Sequence, residues 1–170
     1  LFAENMYGLL GKHTSCIVKI ARFHNFFGQY GSYNDGREKA PAALCRKIAL
    51  AKDGDEIEVL GDGTQTRSFL YIQEGIDGIL QLMESDFNGP VNIGSDSAVT
   101  MNELAMVIAN IAGKNIRVKN VHQDSPLVGV QGRNSENTLI KDKLGWQPKN
   151  SLVPGLTITY KWINKQLENS

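Results

Sequence analysis

Segments with the pattern of a buried strand alternate with amphipathic helical segments, and this alternation is the feature that most constrains the fold. Residues 16–21 form a nearly continuous apolar run rich in β-branched side chains, which is typical of a strand covered on both faces in a parallel sheet. Residues 72–83 repeat apolar side chains at helical spacing. Thr100 and Glu103 precede another helical pattern and predict a capping box. The sequence therefore predicts an α/β fold.

The remaining predicted elements continue this order along the 170 residues, which are enough for one substantial core. We expect helices over residues 1–12, 41–50, 101–112, 139–144 and 152–167, and strands over 56–60, 68–71, 91–93 and 116–121. Two long polar segments, 23–39 and 122–137, are predicted as loops. Irregular segments of such length inside a domain are often functional.

Charge and composition exclude several classes of partner. The 18 basic and 18 acidic residues give a net charge of zero, so electrostatic binding to nucleic acid or to an anionic membrane is not expected. No apolar stretch approaches the roughly 20 residues of a membrane span. Cys16 and Cys45 have no metal-ligand spacing and fit reduced, structural thiols. We therefore expect a cytoplasmic protein without a metal site.

Two arginines beside glycine-rich turns are candidates for holding an anionic ligand. Arg67 closes the segment 61–67, and Arg133 lies within 129–135. A guanidinium group offers planar, bidentate donors that suit a pyrophosphate. Taken alone, each arginine is more typical of a solvated surface charge. An anionic ligand would therefore require a few such cations placed together.

Lys39 ends the first predicted loop directly before a helix amino terminus. The helix dipole disfavours a cation there, which would ease release of the proton, as proton transfer requires. An ordinary exposed lysine fits the local sequence better.

The three histidines, His13, His24 and His122, show no mutual metal spacing. His24 is of most interest because it ends a predicted buried strand, where α/β folds place their ligands.

Six short segments, each uninformative by itself, together form a pattern that is specific to one protein family. They are residues 21–28, 36–43, 61–69, 91–95, 132–135 and 143–146. With these residues the chain closely resembles the GDP-mannose 3,5-epimerases, a family within the extended short-chain dehydrogenase/reductases that remodel nucleotide sugars. The resemblance covers nearly the whole chain, and the segment 36–43 distinguishes the 3,5-epimerases from most of the wider family. That wider family mostly carries Asp at the position of Ser68.

The resemblance implies a substrate site and one catalytic group. The residues that would contact the GDP-sugar are Asn25, Glu38, Lys39, Ala40, Lys47, Gln65, Thr66, Arg67 and Arg133. Arg67 and Arg133 would hold the diphosphate, and Lys39 would be one of two acid/base groups. In the family reaction NAD oxidises C4 of the hexose, a cysteine and a lysine exchange protons at C3 and C5, and the hydride then returns to C4.

Other parts of the family pattern have no counterpart in these residues. The sequence holds no glycine-rich dinucleotide fingerprint, no tyrosine and lysine spaced four apart, and no match to the catalytic cysteine. We therefore expect residues 1–170 to be a single C-terminal portion without the NAD-binding half, which also fits a first residue Leu1 rather than Met. It would contain the last parallel strands of a Rossmann-type sheet and a small α/β substrate-binding lobe. NAD is not expected to bind this chain alone, and the chain should be inactive.

Three functional hypotheses remain open from the sequence. The first is a truncated GDP-mannose 3,5-epimerase that still binds GDP-mannose or a related nucleotide sugar. The second is a non-enzymatic GDP-sugar-binding or interaction module, and the third is a fragment of another nucleotide-sugar 4-epimerase or dehydratase. Segment 36–43 argues against the third. Exposed apolar surface, and a first helix whose family counterpart lies at a dimer interface, predict a homo-oligomer.

Overall fold

The computed structural model describes residues 2–121, 130–149 and 151–169. Within these ranges the helices are α1 (Phe2–His13), α2 (Ala40–Leu50), α3 (Ile72–Glu84), α4 (Met101–Ala112), α5 (Thr138–Leu144) and α6 (Leu152–Glu168). The strands are β1 (Ile20–Phe23), β2 (Phe26–Phe27), β3 (Glu56–Leu60), β4 (Thr66–Ser68), β5 (Leu70–Tyr71), β6 (Pro90–Ile93), β7 (Ala98–Thr100), β8 (Arg117–Val121) and β9 (Gly132–Arg133). None of the described helices is both long and apolar enough to span a bilayer.

The described strands form four small sheets, and most of their pairs are parallel. β1 pairs with β6, β2 with β5, and β3 with β8, each in parallel register. β4 lies between antiparallel β7 and parallel β9. Parallel strands separated by helices confirm the predicted α/β fold.

Two clusters of buried apolar side chains hold these elements together. The larger cluster joins α2, α4 and α6 to β3, and its fully buried members include Ile48, Leu104, Ile108, Leu156 and Ile163. The second cluster joins β6 to α3 and α5, and it includes Leu82, Val91, Ile93, Ile140 and Trp146. Phe69 packs in the first cluster and Leu70 in the second. The chain between β4 and β5 therefore links the two cores.

The predicted helix boundaries are largely confirmed. Thr100 Oγ1 accepts a hydrogen bond of 3.1 Å from the backbone N–H of Glu103, and the Glu103 carboxylate accepts one of 2.8 Å from the backbone N–H of Thr100. This is the predicted capping box at the start of α4. At the end of α5, Gly145 has φ of +70°, a conformation that glycine adopts without steric cost.

The first strand differs from its prediction in position and in burial. β1 begins at Ile20, where its pairing with β6 begins opposite Pro90. The backbone N–H of Cys16 donates to Thr14 Oγ1, which itself donates to the Leu10 carbonyl, so Cys16 still belongs to the exit from α1. The prediction that both faces are covered is wrong for the described residues. Ile17 is 77% exposed and Phe23 60% exposed. α1 buries none of its described side chains.

The predicted strand over residues 68–71 is wrong in its bounds. It is two strands, because β4 pairs with β7 and β9 whereas β5 pairs with β2 in a different sheet. The short strands β2 and β9 lie in segments that were predicted as loops, since two paired residues carry no visible periodicity. Of the predicted loop 122–137, residues 122–129 lie outside the described ranges.

Candidate functional site

The carboxyl ends of β1 and β6 meet the segment between β4 and β5. The backbone N–H of His24 donates to the Ile93 carbonyl at 3.1 Å, which extends the parallel ladder by one residue. Asn25 then turns the chain with φ of +48°. Its Nδ2 donates to the Ser68 carbonyl at 3.0 Å, and its own carbonyl accepts from the backbone N–H of Leu70 at 3.1 Å. This edge of a parallel sheet is where α/β folds bind ligands.

Arg67 and Arg133 are register partners on the parallel strands β4 and β9. Register partners on neighbouring strands extend their side chains from the same face of the sheet. Arg67 Nη1 donates to the carbonyls of Thr66 at 2.7 Å and Gln131 at 3.3 Å. Neither guanidinium takes part in the salt bridges found among the described residues. Two like charges therefore lie side by side without a described carboxylate to offset them.

A third predicted cation, Lys39, acts on the same side chain as the two arginines, His24. Burial lowers the pKa of His24, and the positive charges of Arg133, Arg67 and Lys39 lower it further. These effects favour the neutral form of the His24 imidazole. Because all three cations act on one side chain, the fold brings the three predicted cationic site residues into one region.

A cavity of about 250 Å³ lies between α2 and the strands β3 and β4. Four predicted contacts line it: Ala40, Lys47, Gln65 and Arg67. Its apolar wall consists of Leu44, Val59, Leu60 and Met101. Gln65 Oε1 is buried and has no hydrogen-bond partner among the described residues. The cavity therefore combines an apolar wall with an unsatisfied acceptor and two cations, as ligand sites commonly do.

A second cavity, of about 260 Å³, lies on the other side of the start of α2. Lys39 lines it together with the turn that follows β2 and with Ile72 at the start of α3. Lys39 is the N-cap residue of α2, and its carbonyl accepts from the backbone N–H of Ala43 at 3.0 Å. Lys39 and its neighbour Ala40 thus line different cavities. The first turn of α2 separates the two spaces.

The remaining predicted contacts are engaged within the protein. Asn25 uses its amide to hold Ser68, as described above. Glu38 is paired with Arg46 of α2 at 3.4 Å, while its other carboxylate oxygen is buried without a described partner. Thr66 lies in β4 opposite Gly132, and its backbone N–H donates to the Gln131 carbonyl at 2.9 Å. Each of these three residues thus makes at least one polar contact within the protein.

The described residues do not form a dinucleotide site. A dinucleotide pyrophosphate is received by a glycine-rich turn at the amino end of a helix. Here α2 is preceded by Lys39 with Pro41 in its first turn, α3 by Tyr71, and α4 by Thr100. We therefore derive no step of a reaction through NAD from these side chains.

Residues 3–94 match the model of the NAD dependent epimerase/dehydratase family. The match spans more than half of the chain, and the chain belongs to this family. The fold agrees, since a UDP-glucose 4-epimerase from Thermotoga maritima superposes with a TM-score of 0.83 at 24% identity. That comparison covers 96% of this chain and 51% of the epimerase chain.

The resemblance to the GDP-mannose 3,5-epimerases is confirmed. The chain is 49% identical over 168 residues to GDP-mannose 3,5-epimerase from Arabidopsis thaliana, which covers 99% of this chain and 43% of that protein. It is 37% identical over 143 residues to UDP-glucuronic acid decarboxylase 5 from the same plant, covering 83% of this chain and 39% of the decarboxylase. The chain thus spans less than half the length of these curated relatives.

Proposed function

We propose that this chain is the substrate-binding portion of a GDP-mannose 3,5-epimerase, and that Arg67 and Arg133 hold the diphosphate of a bound GDP-mannose. The observation that carries the proposal is their register pairing on β4 and β9. No carboxylate of the described residues forms a salt bridge with either guanidinium. Like charges on directly opposed positions destabilise a sheet. A bound diphosphate would reverse that cost, because each guanidinium can donate to it in a bidentate manner.

The volume of the cavity beside Arg67 indicates which part of the ligand it would hold. At about 250 Å³ it is smaller than the roughly 300–1,000 Å³ of a typical small-molecule site. It would therefore take the nucleoside, with the apolar wall against the base and Gln65 Oε1 as an acceptor. The diphosphate would then extend past Arg67 and Arg133, and the hexose would lie toward Lys39.

Lys39 is the group that we propose for proton exchange with the hexose. It lines the second cavity, and its charge acts on the same imidazole as the charges of the two arginines. In the family reaction, however, such protons are exchanged only after C4 has been oxidised. Because the described residues form no dinucleotide site, we propose that the chain by itself binds the sugar nucleotide without turnover.

Titration calorimetry with GDP-mannose tests this proposal. We expect Arg67→Met and Arg133→Met each to weaken binding at least about tenfold, because each removes charge-assisted hydrogen bonds. Arg67→Lys should recover only part of the loss, since an ammonium group cannot donate in a bidentate manner. Arg117→Met is the matched control, because Arg117 is an exposed arginine of β8. No heat at millimolar ligand from a folded wild-type chain would refute the proposal.

We also propose that the chain self-associates through α1. Phe2 is 79% exposed, Met6 55% and Leu9 56%, and no described residue of this helix is buried. An apolar stripe of this kind marks an interaction surface. Leu9→Lys should therefore lower the mass measured by sedimentation, whereas Met106→Lys on the partly exposed face of α4 should not. A wild-type monomer at micromolar concentration would contradict this.

We place this function in the cytoplasm. Cys16 and Cys45 are free thiols, one exposed and one buried. Reducing compartments keep exposed thiols in this state, whereas oxidising ones favour disulfides.

A further inference from the structure

We infer that His24 is a ligand-contacting residue, whose Nε2 hydrogen-bonds an oxygen where the diphosphate of the bound nucleotide sugar joins the hexose. The inference rests on the proposed function and adds a contact that the resemblance did not supply. It is carried by the position of the ring, by its one unused nitrogen, and by the charges around it.

The backbone and one side of the imidazole are fixed. The backbone N–H of His24 donates to the Ile93 carbonyl, and a Cβ on Gly94 would lie only 2.6 Å from the Cβ of His24. The side chain is therefore packed directly against the backbone at the end of β6. Its Nδ1 lies 3.2 Å from Oγ of Ser68, which is fully buried. Ser68 is held in turn by Asn25, which donates to its carbonyl.

The other ring nitrogen has no partner. Nε2 of His24 is buried and makes no hydrogen bond with the described residues. A neutral imidazole has one donor and one acceptor nitrogen, and the Ser68 hydroxyl satisfies only Nδ1. Buried polar atoms in folded proteins are nearly always hydrogen-bonded. An unused buried nitrogen at the carboxyl end of parallel strands therefore points to a partner that the described residues do not supply, such as a bound ligand.

The surrounding charges indicate the chemistry of that partner. Arg133, Arg67 and Lys39 all act on this ring, and no carboxylate of the described residues is among the groups that do. These cations disfavour a protonated ring, so the imidazole offers a neutral N–H. A diphosphate oxygen accepts hydrogen bonds but cannot donate them. Nε2 then carries the proton, and in the neutral ring Nδ1 accepts from the Ser68 hydroxyl.

The place along the ligand follows from the same three residues. In the proposed binding mode Arg67 and Arg133 hold the diphosphate, and Lys39 faces the hexose. The ring bonds Ser68, which directly follows Arg67 in β4, and the charge of Lys39 also acts on it, so it lies where these two parts of the ligand would join. An N–H donor at that point would fix the orientation of the sugar relative to the diphosphate, and hence relative to Lys39.

Two conservative substitutions separate a contact through Nε2 from a structural role of the ring. Asparagine extends only as far as Nδ1 and can keep the bond to Ser68, whereas the longer glutamine side chain brings its amide to the position of Nε2. We expect His24→Asn to weaken GDP-mannose binding about tenfold in calorimetry. His24→Gln should stay within about threefold of wild type. GMP lacks the second phosphate and the hexose, so its affinity should not change in either variant. His13→Asn, on exposed α1, is the control.

The possible results lead to different conclusions. If the wild-type chain binds both GMP and GDP-mannose, and His24→Asn binds both with the same affinities, this inference is overturned while the proposed function stands. An equal loss toward both ligands would assign His24 a structural role and would also overturn it. No binding by wild type would refute the proposed function, and this inference with it. If a variant fails to fold, nitrogen NMR of the wild-type imidazoles decides instead: the Nε2 signal should shift with GDP-mannose and not with GMP.

Discussion

Lys47 on α2 donates a hydrogen bond of 2.8 Å from Nζ to the backbone carbonyl of Glu58 on β3. Both residues line the cavity between the helix and the strand, and the bond holds the ammonium group at the cavity wall. A carbonyl is a neutral partner, so the positive charge of Lys47 is not cancelled by this contact. The ammonium can therefore act on a ligand while remaining in place.

Replacing Lys47 by Met should weaken GDP-mannose binding about tenfold, because the charge is lost while most of the aliphatic stem remains. Lys47→Arg keeps the charge and should bind within a few fold of wild type. Calorimetry measures both affinities, and a thermal melt checks that each variant is folded. Equal affinities for wild type and Lys47→Met would show that this ammonium group does not contact the ligand.

Lys114→Met should lower the free energy of unfolding by about 1–3 kcal/mol. Lys114 Nζ donates three hydrogen bonds of 2.8 Å, to the carbonyls of Ile48, Ala49 and Ala51. It thereby satisfies carbonyl groups that the end of α2 leaves without helical partners. Urea denaturation measures the change, with Lys161→Met, at an exposed position of α6, as the control. Indistinguishable midpoints for the two variants would rule out this role of Lys114.

Glu103 should make the stability of the chain depend on pH in the acidic range. Its hydrogen bonds with the backbone and side chain of Thr100 hold the pKa of this carboxyl below the usual 4.5. A lowered pKa in the folded state stabilises the protein above pH 4.5, and that contribution is lost as the pH falls through the lowered value. The stability difference between wild type and Glu103→Gln should therefore shrink as the pH falls below 4.5. Urea titrations at pH 3 to 7 measure this difference, and exposed Glu84→Gln is the comparison. A difference that is constant with pH would contradict it.

The two cysteines should differ sharply in reactivity. Cys16 is exposed, whereas Cys45 is fully buried and burial raises its pKa to about 12. Thiolate is the reactive form, so Cys45 should be inert at pH 8. A chromogenic disulfide reagent should modify one thiol in the native chain and both in denaturant. Cys16→Ser should abolish the native reaction. Rapid native modification of this variant would mean that the core around Cys45 opens readily.

Much of the fold follows from local patterns in the sequence. The helices α3 and α4 are visible because their apolar residues repeat at helical spacing, and the start of α4 is marked by the side chains of Thr100 and Glu103 themselves. β1 was placed too early because the apolar residues from Cys16 onward also suit the exit from a helix. The hydrophobic pattern of the sequence shows which side chains are apolar, but it does not show which strand is close enough to pair with them.

For the candidate site, the sequence indicates residue types more readily than their geometry. Arg67 and Arg133 are recognisable as cations near turns, yet their pairing depends on β9, a strand of two residues without periodicity. The contact of Lys47 is a backbone carbonyl, which has no signature in the sequence. For Asn25 and Glu38 the sequence indicates the functional group, whereas their bonds to Ser68 and Arg46 depend on the packing around them.

Strand β1 has hydrogen-bonding groups that its neighbour does not use. Among the described residues β6 is the only strand paired with it, so its far edge presents unpaired N–H and C=O groups beside the exposed ring of Phe23. Such an edge is a template for a further strand, whether from a peptide or from a second molecule. Backbone register, more than any side chain, would then align the incoming segment.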